Sequence, residues 1–203
     1  MAKSRAIFIT ATDTNVGKTV TTYALGTMLK AQGYDVGIMK PVQCGGHDAQ
    51  FLKKRLDITD DIELINPCYV KEPLSPHLAF KRAGKKVNIQ KIKKCFETLL
   101  TRHHILLVEG AGGLMAPLTD KLFNADLAKA LNIPIIIVSR LGLGTINHTI
   151  LTINQAKAYR LPIEGIIFSD TNPKAKSLAE KTNPKEIERL TKIKVLGIIP
   201  YLA

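Results

Sequence analysis

Six consecutive residues of this chain, Thr14-Asn15-Val16-Gly17-Lys18-Thr19, have the types and spacing to hold phosphate. They match the second half of the loop G-x-x-x-x-G-K-[ST], with Thr12 where the first glycine belongs. Backbone N–H groups in such a loop wrap an anion at a helix N-terminus, where orphan donors and the helix dipole favour negative charge. Gly17 lets the backbone approach the phosphate. Lys18 would reach the β- and γ-phosphates, and the Thr19 hydroxyl would bind Mg²⁺. Three further groups carry polar chemistry in a similar setting. Lys40 follows an apolar run, where it is either a ligand-facing lysine or a surface residue before a loop. Asp48 opens a helical pattern, as a cap or as a carboxylate for Mg²⁺. Glu109 ends another apolar run and leads into Gly110-Ala111-Gly112-Gly113, which suits either a second Mg²⁺ ligand or a simple turn.

The elements that must position these groups alternate. Ile7–Ile9 reads as a buried strand, and Tyr23, Ala24, Leu25, Met28 and Leu29 share one helical face behind the loop. Gly33 stops that helix, and Asp35–Met39 reads as the next strand. A helix follows from Asp48 through Leu52. Ile62–Tyr69 reads mostly as connection, and Glu72–His77 as a turn into a short helix. Asn88 caps a longer helix with Ile92, Phe96 and Leu99 at core spacing. Ile105–Val108, Ile133–Val138, Ile163–Phe168 and Val195–Ile199 are near-continuous apolar strands, as a sheet covered on both faces requires. Between them fall helices at Asn124–Leu131, after Gly142-Leu143-Gly144-Thr145-Ile146-Asn147-His148, and at Lys185–Thr191 with Pro184 in its first turn. This order predicts a single α/β domain over 1–203, a mostly parallel sheet with helices on both faces. All the polar candidates then lie at the carboxyl edge of the strands, where open sheets bind ligands.

The chain has 203 residues, enough for one full core. It contains no apolar run of membrane-spanning length, and its first residues do not read as a signal peptide. Three cysteines without paired spacing point to reduced thiols in a cytoplasm rather than to disulfides or zinc. The formal net charge of +12 raises the question of nucleic acid. The basic cluster Lys81, Arg82, Lys85, Lys86, Lys91, Lys93 and Lys94 has no interleaved aromatics, so it reads as a solvated helical face. Neither a nucleic-acid nor a membrane partner is expected.

The ordered set Thr12–Thr19, Lys40-Pro-Val42, Asp48-Ala49, Ser75-Pro-His77, Glu109–Gly113, Leu143–His148 and Pro200-Tyr-Leu202 resembles the dethiobiotin synthetase family of P-loop enzymes, over essentially the whole chain. That family joins 7,8-diaminopelargonate and CO₂ at the expense of a nucleoside triphosphate. An amine captures CO₂ as a carbamate, the carbamate takes the γ-phosphoryl group, and the second amine closes the ring. The resemblance implies a homodimeric cyclo-ligase using ATP and Mg²⁺. It implies that Thr19, Asp48 and Glu109 hold the metal, and that Lys18 and Lys40 are catalytic. Nucleotide contacts fall by resemblance on Thr14–Val20, Asp48, Glu109, Gly110, Ala111, Gly112, Ser169, Asp170, Pro200, Tyr201 and Leu202. Substrate contacts fall on Lys40, Cys44, Leu143, Gly144, Thr145 and Asn147, with the Leu143–Asn147 segment reaching across a two-fold axis.

The sequence departs from the family pattern at four places. Ala11 replaces a glycine, Asn15 a glutamate, and Cys44 a hydroxyl residue. Ser169 stands where an asparagine reads adenine. With the short stretch after Tyr201, this predicts weak discrimination among nucleotide bases. The alternative from another class is a partition-type or regulatory P-loop ATPase. Such proteins commonly carry an extra lysine early in the loop, where this chain has Thr12, Asp13, Thr14 and Asn15.

Overall fold

Alternation along β1 (Arg5–Ala11) shows how the fold is built. Ala6 and Phe8 point into one core; Ile9 and Ala11 point into another, with Val16, Ile136, Val138 and Ile167. A strand buried on both faces must lie inside a sheet, and β1 does, pairing in parallel with two neighbours. These are β5 (Ile105–Glu109) and β6 (Ile135–Arg140). The computed structural model describes residues 4–172 and 176–201. Within them, β2 (Val36–Met39), β7 (Ile163–Ser169) and β8 (Val195–Ile199) complete a six-stranded sheet ordered β2-β5-β1-β6-β7-β8. All its pairings are parallel.

Parallel strands need crossovers, and helices supply them on both faces. On one face lie α1 (Lys18–Ala31) and α2 (Asp48–Arg55); Leu25 of α1 packs on the Ile9 cluster, and Leu52 of α2 packs with Ile38. The larger core, on the other face, takes Ile92, Phe96 and Leu99 from α5 (Ile89–Arg102). It also takes Leu127 of α6 (Asn124–Leu131), Ile153 of α7 (Thr145–Ala158) and Ile187 of α8 (Leu178–Thr191).

Two expectations are corrected. Ile62–Tyr69 is not mere connection: it holds α3 (Ile62–Ile65) and the start of β4 (Cys68–Val70). β4 pairs with β3 (Val42–Cys44) in a separate two-stranded parallel sheet, ahead of α4 (Pro76–Arg82). Strands this short leave little pattern in the sequence. The last helix also starts earlier than Pro184 suggests, and the proline lies inside it. A reciprocal capping box between Ser177 and Glu180 starts α8 a turn and a half before the proline, whose missing N–H falls in the middle of the helix. The Asn88 cap holds as expected, its side chain accepting from Lys91 N–H at 2.9 Å. The basic cluster from Lys81 to Lys94 is exposed throughout.

The amino ends of β2 and β5 are fastened by a buried carboxylate. Asp60 accepts from Arg102 Nη1 at 2.7 Å and pairs with His103 Nε2 at 2.7 Å. The other ring nitrogen of His103 lies 3.1 Å from the Asp35 carboxylate. The ring fills the space beside Gly37, where a Cβ would stand 2.2 Å from His103 Cδ2. Burial alone would raise the Asp60 carboxyl; the bonds from Arg102 and His103 outweigh it and hold the group below the usual range. A carboxyl depressed in the folded state adds stability above its unfolded pKa and loses that contribution as the pH falls through the folded value. Asp60→Asn is therefore expected to lower unfolding stability by about 2 kcal/mol at pH 6. In urea melts the gap between the two proteins should shrink once the pH falls below roughly 4, the unfolded carboxylate value. A gap that does not change between pH 6 and pH 3 would contradict this assignment.

Candidate active site

The phosphate loop joins β1 to α1. Gly17 is the N-cap of α1, with φ 92°. Any Cβ there would stand 2.1 Å from Ser169 Oγ, so both the backbone angle and the space require glycine. Asn15 also takes a left-handed angle, φ 57°. The first turn of α1 carries no acidic residue, which leaves its positive end open to an anion. Lys18 curls back over the loop and donates to the Asp13 carbonyl at 3.1 Å, while Thr14 N–H donates to Asp13 Oδ1 at 2.7 Å. Burial and then repulsion from Lys40 lower Lys18 to about 8, against the pull of Glu109, Asp48 and Asp13. A bound polyphosphate would supply the negative field that favours its charged form.

Lys40 and Glu109 stand at the ends of neighbouring strands, β2 and β5. Glu109 is fully buried and Lys40 nearly so. Lys40 Nζ bonds to Glu109 Oε1 and lies 2.8 Å from Asp48 Oδ2. Thr19 Oγ1 donates to the same Glu109 Oε1 at 2.9 Å. Burial works against the charge on Lys40, but Glu109 and Asp48 outweigh it and raise its pKa. The two lysines of one site are thus pushed in opposite directions, because only Lys40 is clasped by carboxylates.

These groups line a cleft of about 840 Å³ with Thr14, Asn15, Gly17, Val20, Cys44, Ala111 and Gly112. Asp48 is the first residue of α2 rather than its N-cap, which is His47, and its carboxylate reaches Lys40. Burial pushes the Cys44 thiol up to about 11, with Lys40 pulling the other way, so it stays protonated and poorly nucleophilic.

Sequence reasoning missed the braces behind the cleft. Gln43 is buried; it accepts from Ala49 N–H at 3.1 Å and donates to the carbonyls of Gly45 and Gly46 at 3.2 and 3.0 Å. That fixes the turn delivering Asp48. Asn66 donates to the Lys40 carbonyl at 2.6 Å. The turn Pro73-Leu-Ser-Pro76, which includes part of the Ser75-Pro-His77 motif, forms a rim of the cleft. A glutamine two residues before Gly45-Gly46 was the one available signal.

The other expected residues fall elsewhere. Gly110 is buried behind the cleft, and Val16 turns its side chain into the core. Ser169 does not line the cleft: it is buried against Gly17. Asp170 is tied to Lys176 and accepts from Asn172 N–H at 3.0 Å. Pro200 and Tyr201 do not line the cleft, and Leu202 lies outside the described residues. Leu143, Gly144, Thr145 and Asn147 form a separate surface at the start of α7. Thr145, the first residue of α7, turns its side chain inward. It is buried, and its hydroxyl bonds to Ser139 at 2.8 Å inside a cluster with Thr149.

The donor set suits a hard divalent cation. Thr19, Asp48 and Glu109 offer only oxygen, and Glu109 Oε2 is buried without a partner among the described residues. No group of three or more His, Cys, Asp or Glu gathers among the described residues.

A phosphate loop between β1 and α1, with Lys18 opening the helix and Lys40 and a buried glutamate at the ends of β2 and β5, defines a P-loop nucleoside-triphosphate-binding protein. A family model described as an AAA domain matches residues 5–203. Among solved structures, the MinC:MinD cell division complex of Aquifex aeolicus shares the fold: TM-score 0.61 and 18% identity over 97% of this chain and 81% of that one. The signal recognition particle 54 kDa protein of Aeropyrum pernix, in complex with GDP, gives TM-score 0.62 at 15% identity over 99% of this chain and 42% of that one. The chain is 42% identical to an ATP-dependent dethiobiotin synthetase of Bacillus cereus, across 97% of this chain and 83% of the relative. It is 38% identical to the enzyme of that name from Thermodesulfovibrio yellowstonii, across 96% and 88%. The chain belongs to the dethiobiotin synthetase family.

Lys40→Ala removes a cation from the reacting end of the cleft while leaving the phosphate loop intact. Turnover is expected to fall at least about a hundredfold, with nucleotide affinity changed by no more than about threefold. Steady-state kinetics and calorimetric nucleotide titration check both numbers. Near-normal turnover would remove Lys40 from the machinery.

Proposed function

We propose that this chain catalyses ATP-driven carboxylation and ring closure of 7,8-diaminopelargonate to dethiobiotin, using Mg²⁺, as a cytoplasmic homodimer. The observation that carries the reading is the meeting of Lys18, Lys40, Thr19 and Glu109 in one cleft at the phosphate loop. Carbamate and triphosphate are both anions and repel each other. Lys18 and the loop amides hold the phosphates, and Lys40 supplies the positive charge where the carbamate oxygen attacks. Thr19, Asp48 and Glu109 would hold Mg²⁺, which neutralises phosphate charge when bound. Ring closure is intramolecular, so holding both amines beside the activated carbonyl accounts for the rest. Cys44 needs no covalent role, since the second amine is the nucleophile. The partition-type alternative is disfavoured by the relatives at 42% and 38% identity, both named dethiobiotin synthetases, whereas likeness to MinD at 18% identity speaks for the fold alone.

Cytoplasmic placement is supported by free cysteines at 44, 68 and 95. No helix among the described residues is long and apolar enough to cross a membrane. The dimer is supported by exposed apolar residues along α7: Leu143 just before the helix is 87% exposed, and Leu151 in its middle 59%. Such apolar exposure along the helix and before its N-terminus fits a covered surface that takes the substrate carboxylate from a neighbour.

Incubation with the diamine, bicarbonate, MgATP and product detection tests the reaction itself. Asp48→Asn and Glu109→Gln should each raise the Mg²⁺ requirement about tenfold or more; unchanged metal dependence would make these acids structural. Mixing inactive Lys40→Ala with inactive Asn147→Ala tests the shared site. A mixed dimer would hold one site with both defects and one with neither, so activity should return after subunit exchange. No recovery would mean each chain completes its own site. Base discrimination among ATP, CTP and GTP should be weak, since Ser169 faces Gly17 and Asp170 is engaged by Lys176. A specificity ratio above about a thousandfold, near 4 kcal/mol, would contradict this.

A further inference from the structure

Asn124 is the first residue of α6, and it is 1% exposed. Its side chain does not cap its own helix. The amide Nδ2 reaches back to the carbonyls of Ala111 and Gly113, at 2.6 and 2.8 Å. Those carbonyls flank Gly112 in the turn that follows Glu109. The main chain adds two bonds to the same segment, Asn124 N–H to Ala116 O at 3.2 Å and Ala125 N–H to Leu114 O at 3.0 Å. The turn lies against the phosphate loop: a Cβ on Gly112 would stand 3.5 Å from Thr14 Oγ1, and one on Gly113 3.3 Å from Ala11 O.

The direction of these bonds matters. A trans peptide points its C=O and the following N–H to opposite sides. With the Ala111 carbonyl turned back to Asn124, the Gly112 N–H faces the other way. Gly112 lines the cleft and Asn124 does not. Among the described residues the Gly112 N–H has no partner. Asn124 Oδ1 is buried and unpaired as well. An orphaned acceptor carries a cost that an apolar residue at this position would avoid. What asparagine offers in exchange is two donors on one neutral group.

We infer that Asn124 is a positioning residue: it pins the turn after Glu109 so that the Gly112 N–H is presented to the terminal phosphate or to the carbamate that attacks it. The inference rests on the proposed reading of the Lys40–Glu109 end of the cleft as the γ-phosphate end. A donor aimed where charge develops contributes more to the transition state than to ground-state binding. Asn124 acts from behind the turn and touches no reacting atom.

Asn124→Leu keeps the volume and removes both donors; Asn124→Ser keeps one shorter donor and is the milder change. In Asn124→Leu, kcat should fall at least about tenfold. Calorimetry should show β,γ-methylene-ATP bound about tenfold more weakly, with ADP unchanged within about twofold, because the turn serves the terminal phosphate. Asn124→Ser should fall between that variant and wild type, and it carries the test alone if the leucine variant does not fold. A merely structural role predicts a lower melting temperature with kcat and both nucleotide affinities within about twofold of wild type, and that result overturns the inference. Equal weakening of ADP and the ATP analogue also overturns it. Wild type is assayed in parallel: if it makes no dethiobiotin, the underlying functional reading fails as well.

Discussion

The site depends on one fully buried negative charge. Glu109 stands at the carboxyl end of a central strand, and a carboxylate there is costly unless it is paired and hydrogen-bonded. Two segments far apart in sequence meet that need. The end of β2 brings Lys40, and the first turn of α1 brings the Thr19 hydroxyl. Three elements are thereby locked at the place where an anion must bind. The second oxygen of Glu109 has no protein partner among the described residues. A site built only for stability would have satisfied it or replaced the pair with apolar side chains. Leaving it bare fits a group that receives a ligand.

The same charge explains why the two lysines differ. Lys18 sits at the positive end of α1, is buried, and has only a carbonyl close to its ammonium. Lys40 has two carboxylates. Burial penalises both, and only the second is compensated. A triphosphate entering the cleft meets one lysine already fixed in its charged state and another whose charge the ligand itself completes. The two lysines of one cleft therefore differ in electrostatic environment, not only in position.

Much of this was legible in the sequence. The six strands of the main sheet each carry a recognisable apolar stretch, and the ends of β1, β2 and β5 mark where the phosphate loop, Lys40 and Glu109 converge. β3 and β4 were not legible, because three-residue strands carry no usable period. Nor was the early start of α8, where Pro184 is a stronger local signal than the Ser177–Glu180 box that overrides it. Ser169 was legible as a position but not as an environment. Sequence placed it near the nucleotide, and the structure sets it against Gly17 of the phosphate loop, a contact fixed by the lateral order of β1, β6 and β7. The environment of the Thr145 side chain was not legible either: its hydroxyl has a buried partner, Ser139, that no local pattern reveals.

The least legible feature is a recurring one. Three buried asparagines each donate to a main-chain carbonyl just past the end of a strand. Asn66 holds Lys40 after β2, at 2.6 Å; Asn124 holds Ala111 and Gly113 after β5; Asn183 holds Leu141 after β6, at 2.8 Å. Carbonyls at these points have left the sheet ladder, and buried ones need a partner. Water would satisfy them but would leave the turns free to move. Lysine would satisfy them while adding a charge beside Glu109, Asp48 or an incoming phosphate. Glutamine has the same amide on a longer, more flexible stem. Asparagine is neutral, short and a double donor, so it can stiffen an anion-binding edge without altering its field. In a sequence each of the three reads as a loop or helix residue, since asparagine favours turns and caps. Their common role emerges only when the strand ends are brought side by side. The polar groups that meet in the cleft were therefore readable from the chain, while the groups that brace them were not.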